Sequence, residues 1–378
     1  AEGSATRSDI AITDPDFKYP SLWKSNIAAD YKFGDGWVAT VELLYSKDIN
    51  AIYHDNIGLY RTEQFVNDGG AGNARPYYNG YYSDREGNQK AANHVVMLRN
   101  TSKGHSLYTT FQLQKNFVDG ILKGLYLNGS YSFGQSRGVT DGTSSVATSA
   151  WKYRAALDGN AEEVGYTAGS FDGRLLLSAS YTANWSKYAA TSFGLIYQRY
   201  RPFRYSYCYN GDANGDSQFS NDLMYIPANF DEEKDHLLPG DFDSQEDAWK
   251  AMNAFIEQDP YLSKHRGEYA ERNGAVAPFA NQLDLSVSHD IKIYQKNGRS
   301  HTLRFSFNIA NFLNLLNRNW GVVQTTVLGN QQYQFLTIPK GQGPSAANNY
   351  TLKYTMAKDL DETFKDSLND VSRWQMQF

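Results

Sequence analysis

The sequence contains a single cysteine, Cys208, among its 378 residues. An internal disulfide framework is therefore excluded, and no Cys/His cluster has the spacing of a structural zinc site. The seven histidines are dispersed, and none of them has a metal-ligand spacing. Motifs typical of activated nucleophiles, zinc proteases or phosphate loops are also missing, so we expect no enzymatic activity.

Positive charge and long apolar runs are equally scarce. Lys and Arg number 36 against 41 Asp and Glu, a net charge of -5, which gives no basic surface for a phosphate backbone and argues against nucleic acid as a partner. The longest apolar stretches resemble residues 95–98, far below the roughly 18 residues of a membrane-spanning helix. Residues 1–4 show no charged-then-apolar signal segment.

Tyrosine is the residue type in excess. The chain has 28 Tyr, 20 Phe and 7 Trp, yet its mean hydropathy is only -0.60. A tyrosine presents an apolar ring and a polar tip, so it is expected where a large surface meets both lipid and water, and at wet binding surfaces.

Apolar and polar residues alternate over long segments, which places them on opposite faces of β-strands. We find roughly 14 to 16 such segments, many near the 9 to 11 residues that a tilted strand needs to cross a bilayer. Soluble strands average about half that length. The pattern predicts an all-β fold, a transmembrane antiparallel β-barrel with long extracellular loops, over a soluble sandwich or propeller. Clear examples are the segments 23–33, 37–45, 107–115, 125–133, 177–185, 189–197, 283–293 and 302–309.

The predicted connections alternate between short turns and long polar loops. The turns are residues 34–36, 119–120, 185–187, 296–298 and 329–330, and the loops are residues 135–172, 210–282 and 341–370. If the turns are periplasmic, residues 1–21 begin in an extracellular loop. A short helix is expected inside residues 210–282, starting after Ser244 and ending at Asp259-Pro260. Residues 371–378 are the expected closing strand.

The C-terminus ends on an alternating aromatic pattern, in which Trp374, Met376 and Phe378 share one face. Combined with the strand pattern, we interpret these three residues as a barrel-assembly signal that closes the sheet at the periplasmic interface.

Four further segments carry a specific resemblance. They are DPDFKYP at residues 14–20, YSKDINA at 45–51, HRGEYAERNG at 265–274 and PFANQLDL at 278–285, with NIANFLNLLN at 308–317 in support. These segments resemble the C-terminal half of TonB-dependent outer-membrane receptors of the Oar-like and SusC-like group, and the likeness covers nearly the whole chain.

The resemblance implies a 22-stranded barrel in the outer membrane of a Gram-negative bacterium that actively imports a large nutrient, such as an oligopeptide, a glycan or a siderophore. It also implies several partners: membrane lipid, an N-terminal plug and barrel half of the same protein, TonB, and a surface lipoprotein. Neither plug nor TonB box occurs in these residues, so we expect a C-terminal portion of a larger protein. Two alternatives stay open, a structural scaffold in an outer-membrane complex and a secreted carbohydrate-binding module.

One loop has the spacing of a metal site. Asp212, Asn214, Asp216 and Asp222 offer hard oxygens as in the first half of a calcium loop, although Ser217 and Leu223 replace the expected glycine and bidentate glutamate. The alternative is an Asn/Asp/Gly turn capped by its own side chains. No other cofactor is expected.

Aromatic and arginine residues form the second candidate site. Tyr205 and Tyr207 with Arg201 and Arg204, and the tyrosines at 77, 78, 81 and 82, could stack on sugars or hold peptides. Packing within the loops explains them equally well.

Overall fold

The chain is described here by a computed structural model, which covers residues 8–67, 73–81, 92–142, 144–294, 300–329 and 331–378. It is mostly β, with 48% strand and 11% helix, and is dominated by one large antiparallel sheet. The prediction of an all-β fold is confirmed. No helix in the described ranges has both the length and the apolar character needed to cross a membrane.

The strands, in chain order, are β1 Ser8–Thr13, β2 Leu22–Phe33, β3 Trp37–Asp48, β4 Ala51–Asn56, β5 Leu59–Val66, β6 Arg75–Tyr81, β7 Ala92–Thr101, β8 His105–Asn116, β9 Leu125–Gly138, β10 Gly165–Tyr166, β11 Arg174–Ser186, β12 Ala189–Tyr200, β13 Arg204–Tyr207, β14 Tyr225–Ile226, β15 Glu268–Tyr269, β16 Ala275–Val276, β17 Ala280–Tyr294, β18 Ser300–Ala310, β19 Gln324–Thr326, β20 Gln332–Tyr333, β21 Leu336–Thr337, β22 Thr355–Met356, β23 Phe364–Asp366 and β24 Gln375–Gln377. The α-helices are α1 Ala147–Lys152, α2 Phe230–Glu233, α3 Gln245–Gln258 and α4 Phe312–Leu316, and 3-10 helices span Leu262–Lys264, Ala346–Asn348 and Asp370–Ser372.

The main sheet is an antiparallel meander with the order β2-β3-β8-β9-β11-β12-β17-β18-β24, and β10 pairs with the end of β9. Apart from β24, its path strands have between 11 and 15 residues. At about 3.3 Å per residue each is long enough to cross a bilayer, even when tilted. In the described part of the chain β2 and β24 do not pair with each other, so closure into a barrel stays a prediction.

The cross-strand register keeps apolar residues opposite apolar residues on one face of the sheet. Examples along the sheet are Ile27 with Leu43, Phe111 with Tyr131, Leu195 with Leu285, Val287 with Phe307 and Ile309 with Met376. Many of these side chains are exposed: Ile27 keeps 70% of its surface and Phe305 keeps 58%. Leu127 and Leu285 are only half-buried, and neither belongs to a buried apolar cluster.

The opposite face of the sheet carries polar side chains that bond across neighbouring strands. These pairs include Asn26 with Glu42, Thr40 with Asp30, Thr110 with Ser132, Gln112 with Asn128, Thr182 with Ser192 and Ser286 with Asn308. Opposed polar pairs of this kind stabilise an antiparallel sheet. One face is therefore apolar and exposed, and the other is polar, with side chains that form hydrogen bonds between neighbouring strands.

Short and long connections lie at opposite ends of the main sheet. The predicted turns at 34–36 and 119–120 join β2 to β3 and β8 to β9, and β11 continues through Ser186 before the turn to β12. The turn predicted at 296–298 lies outside the described residues. The turn predicted at 329–330 is not a hairpin of the main sheet, because Gly329 follows β19 in a long connection.

The long connections comprise residues 49–104, 139–173, 201–279 and 311–374, which we call the cap. The predicted boundaries differ from these: β9 continues to Gly138, β17 begins at Ala280, and the last connection begins at residue 311 and not at 341. The closing strand predicted at 371–378 is also shorter, since residues 370–372 form a 3-10 helix and β24 spans only Gln375–Gln377. The connection at 49–104 was not predicted at all. Within it, β4 pairs with β7 and β5 pairs with β6, and β7 also pairs with β1 from the N-terminal segment.

The cap has a hydrophobic core of its own, which the predicted polar loops did not include. The largest cluster joins strand β13, helix α3 and residues 333–360. The predicted helix is confirmed as α3: Ser244 caps its N-terminus by accepting the N–H of Asp247 at 3.1 Å. Ala248, Met252, Phe255 and Ile256 recur at helical spacing and are all buried.

Candidate metal centre and aromatic cluster

The acidic loop lies between β13 and β14 in the cap, and Asp212 organises it. One carboxylate oxygen of Asp212, Oδ1, accepts the backbone N–H groups of Asn214, Gly215 and Asp216 at 3.2, 2.6 and 3.2 Å. The other, Oδ2, accepts that of Ser217 at 2.8 Å. The Asn/Asp/Gly turn considered in the sequence analysis is therefore present.

The turn also brings three carboxylates together in the interior. Asp216 and Asp222 are almost completely buried, and one oxygen from each of Asp212, Asp216 and Asp222 lies within 4.8 Å of the others. Asp222 Oδ2 accepts the N–H of Ala213 at 2.8 Å, and Asp216 Oδ1 accepts that of Gln218 at 2.8 Å. Asp216 Oδ2 has no hydrogen-bond partner among the described residues.

Asn214 accepts hydrogen bonds through both its side chain and its backbone. Its side-chain oxygen accepts the N–H of Asp216 at 3.0 Å, and its backbone carbonyl accepts that of Tyr78 in β6 at 2.7 Å. At Gly215, which has a φ of 81°, a Cβ atom would collide with the Tyr78 carbonyl. The loop thus packs against β6, and only glycine fits at position 215, where the backbone of the loop comes closest to that strand.

Arg75 completes the cluster, and the sequence analysis did not identify it. Its side chain is fully buried, and Nη2 lies 3.2 Å from Asp222 Oδ1 and 3.2 Å from the carbonyl of Leu157. Arg75 lies 147 positions before Asp222 in the sequence, so no local pattern links the two residues. Only the pairing of β5 with β6, which turns Arg75 inward, could have indicated it.

The cluster keeps a net charge of -2 when all three carboxylates are ionised, because Arg75 neutralises only one of them. Burial and the neighbouring Asp222 and Asp212 raise the pKa of Asp216 well above its ordinary value. Burial also raises the pKa of Asp222, to about 7, although Arg75 opposes the change. Desolvation therefore works against a fully charged cluster unless a cation balances it.

The aromatic candidates Tyr205 and Tyr207 prove to be core residues, so the prediction that they contact a substrate is wrong. Both are fully buried, with ring centroids 5.4 Å apart in an edge-to-face arrangement. Tyr207 donates its hydroxyl to Asp259 Oδ2 at 2.6 Å. All four residues of β13 are buried, and a sequence does not show that cap segments cover both faces of so short a strand.

The arginine candidates also serve the packing of the cap. Arg204 is buried, donates to the carbonyls of Ser170 and Asn273 at 3.0 and 2.9 Å, and pairs with Asp172. Its guanidinium lies 4.2 Å from the ring centroid of Tyr166. Arg201 is half-buried and stacks over Phe279 at 4.2 Å. These contacts are all internal, so both arginines have a structural role in the cap, which fits the alternative of packing within the loops.

The tyrosine pair at 77–78 is buried in the structure, and the side chains of the pair at 81–82 lie outside the described residues. Tyr77 and Tyr78 are buried, and the Tyr78 hydroxyl donates to Asp158 Oδ1 at 2.7 Å. The side chain of Tyr81 and the whole of Tyr82 lie outside the described residues.

The C-terminal residues lie on the apolar face of the main sheet. Met376 faces Ile309 across the β18–β24 pair, and the Phe378 ring centroid is 5.1 Å from that of Phe307. Trp374, Met376 and Phe378 are all exposed. β24 pairs only with residues 308–310 of β18, at the end next to the cap, so the chain stops before the short-turn end of the sheet, where the hypothesis puts these residues. The assembly-signal hypothesis stays a prediction.

Comparison with protein-family models, curated proteins and solved structures gave no match. The two faces of the main sheet and the folded cap are therefore the structural features that bear on function.

Proposed function

We propose that the main sheet is a lipid-facing segment of an outer-membrane β-barrel, and that the protein is an uptake receptor of the TonB-dependent kind. The observation that carries the proposal is the exposed apolar face, which runs from β2 to β18 across strands of bilayer length.

The exposed apolar face needs a physical explanation. Soluble monomers rarely expose contiguous apolar patches beyond a few hundred Å². Each large apolar side chain left in water forgoes about 1.5 to 3 kcal/mol of burial free energy, and this face carries such residues on every path strand of the sheet. Contact with lipid hydrocarbon removes that cost, because membrane barrels face their apolar residues outward.

The polar face and the cap fit the same proposal. Side chains such as Gln112 and Asn128 would line a water-filled interior, as alternate residues do in membrane barrels. The cap would lie at the extracellular rim, where loops join the strands. Its core makes it a folded structure, which suits a surface that recognises a bulky nutrient.

The import activity and its partners rest on the resemblance described above. They are the plug and barrel half, TonB, and a surface lipoprotein. A complex purified from native outer membranes should contain the longer chain, and mass spectrometry should identify plug residues and co-purified ligand. A chain without plug or TonB box would favour the scaffold instead.

A simpler experiment tests the membrane assignment alone. The chain, refolded from denaturant, should require detergent or lipid vesicles to stay monodisperse, and it should float with the vesicles in a density gradient. A water-soluble monomer would contradict the proposal and favour a secreted module.

A further inference from the structure

We infer that Asp212, Asp216 and Asp222 form a calcium site that ties the acidic loop to the neighbouring segments of the cap. The inference does not depend on the proposed function, since the cluster lies in the cap and not in the strands of the main sheet.

The geometry of the oxygens suits one ion. Calcium binds oxygen ligands at 2.3 to 2.6 Å, so two ligands of one ion lie at most about 5 Å apart. The three carboxylates meet this condition, with one oxygen of each within 4.8 Å of the others. Asp212 and Asp216 lie in the turn that Asp212 holds through four backbone N–H groups, and Asp222 accepts the N–H of Ala213 in the same turn. The ligands are therefore arranged before an ion arrives.

An unpaired atom provides independent support. Asp216 is fully buried, and its Oδ2 has no partner among the described residues. A buried carboxylate oxygen without a donor costs free energy unless a cation or a proton satisfies it. Asn221, next to Asp222, also has a buried side-chain oxygen without a hydrogen-bond partner among the described residues.

Charge favours a divalent ion in particular. The three carboxylates and Arg75 sum to -2 when ionised, which one Ca²⁺ neutralises. Mg²⁺ fits less well because it demands near-ideal octahedral geometry and gives up its waters reluctantly. Three carboxylates fixed by a protein turn suit the flexible coordination of calcium.

Binding there would couple three segments that are distant in sequence. Arg75 joins Asp222 to β6 and to the carbonyl of Leu157, and the backbone of the loop pairs with Tyr78 and Gly80. An ion at the carboxylates would therefore stiffen residues 211–222 together with β6 and residues 156–159.

The test uses the full chain refolded in detergent, freed of metal with a chelator and titrated with CaCl₂ or MgCl₂ in a calorimeter. We expect one Ca²⁺ per chain and at least tenfold weaker binding of Mg²⁺. Asp216→Asn should weaken Ca²⁺ binding at least tenfold. The control Asp235→Asn, at an exposed residue of the cap, should bind like the unaltered protein.

Hydrogen exchange on the unaltered protein gives a readout that does not require any variant to fold. Calcium should slow exchange in residues 211–222 and in β6, and leave the strands of the main sheet unchanged. The inference would be overturned by a folded chain that takes up no Ca²⁺, by equal affinity for Mg²⁺, or by a folded Asp216→Asn variant that binds like the unaltered protein. Failure of the chain to enter lipid vesicles would contradict the proposed function and leave this inference standing.

Discussion

At the scale of the residue, the cap depends on buried polar groups that form hydrogen bonds inside its core. Asp259 is the clearest example: it is fully buried and follows the last residue of α3. Its Oδ1 accepts the N–H groups of Tyr261 and Leu262 at 2.9 and 2.8 Å. Its Oδ2 accepts the hydroxyls of Tyr207 and Thr363 at 2.6 and 2.8 Å. One carboxylate thus connects α3, β13 and the C-terminal connection.

Removing a single hydroxyl from this network should have a measurable cost. Tyr207→Phe keeps the ring and its packing but deletes a donor to Asp259, so we expect the cap to lose about 1 to 3 kcal/mol of stability. Native-state hydrogen exchange of α3 amides would measure it. Tyr153→Phe, at an exposed ring of the cap, is the control and should cost less. Equal losses in both variants would contradict the role assigned to Asp259.

Glu233 gives the cap a defined pH dependence. Its carboxyl is buried, accepts a hydrogen bond from Tyr354 and leaves one oxygen unpaired. Burial raises its pKa from an ordinary value of 4.5 to about 7. The unfolded chain therefore releases this proton at a lower pH than the folded chain. The contribution of Glu233 to the free energy of unfolding is therefore greatest below pH 4.5. It falls by about 3 kcal/mol as the pH rises from 4.5 to 7.

Glu233→Gln should remove this contribution. The difference in cap stability between the variant and the unaltered protein should change between pH 4.5 and 7 and be constant above. Hydrogen exchange of residues around α2 measures it across that range, with Asp235→Asn as a control that keeps the original slope. A difference that does not vary with pH would show that Glu233 does not titrate in this interval.

At the scale of the element, strand β18 offers a matched pair of substitutions on its two faces. Phe305 lies on the apolar face, opposite His289, and Ser306 lies on the polar face, opposite Ser288. If the apolar face contacts hydrocarbon, Phe305→Lys should destabilise insertion by about 2 to 4 kcal/mol near the bilayer centre. Ser306→Lys should cost far less. Refolding yield into lipid vesicles as a function of urea compares the two, and equal costs would contradict a lipid-facing Phe305.

Helix α3 provides a second test at this scale. Ser244 accepts the N–H of Asp247 and donates to its carboxylate at 2.7 Å, so Ser244→Ala should cost about 1 kcal/mol. Exchange of the first-turn amides reports the loss. Ser263→Ala, beyond the helix, should leave those amides unchanged. If their exchange is also unchanged in Ser244→Ala, the cap does not depend on this bond.

Elements that local interactions determine could be predicted from the sequence, and elements that depend on contacts between distant segments could not. The strands of the main sheet were predictable because a period of two, as from Leu283 to Ile293, is a local signal. Helix α3 was predictable from Ser244, the spacing of Met252 and Phe255, and Pro260. The short strands of the cap were not, since β13 and β20 pair across more than a hundred residues and have no periodic pattern of their own.

The acidic site was predictable only in part for the same reason. The spacing of Asp212, Asp216 and Asp222 within one turn is visible in the sequence. Arg75 joins them through β6, which is distant along the chain, and burial decides which oxygens stay unpaired. The predicted contact residues Tyr205 and Tyr207 failed because tyrosine is as common in buried aromatic cores as on wet surfaces.

At the scale of the whole molecule, the structure divides into two parts with different physical requirements. The cap has a buried hydrophobic core, as soluble proteins do. The main sheet has an exposed apolar face and a cross-linked polar face. The proposed function therefore requires an apolar phase on one side of that sheet and water on the other.

Nitroxide scanning along β18 in lipid vesicles tests this requirement most directly. Single cysteines would be introduced at Leu303, Phe305 and Phe307 and at Arg304, Ser306 and Asn308. The native Cys208 is fully buried, so labelling is directed to the new sites. We predict that dissolved oxygen relaxes labels more strongly at 303, 305 and 307, and that a water-soluble nickel chelate does so at 304, 306 and 308. A flat profile, with the chelate reaching both sets equally, would contradict a sheet that faces lipid on one side.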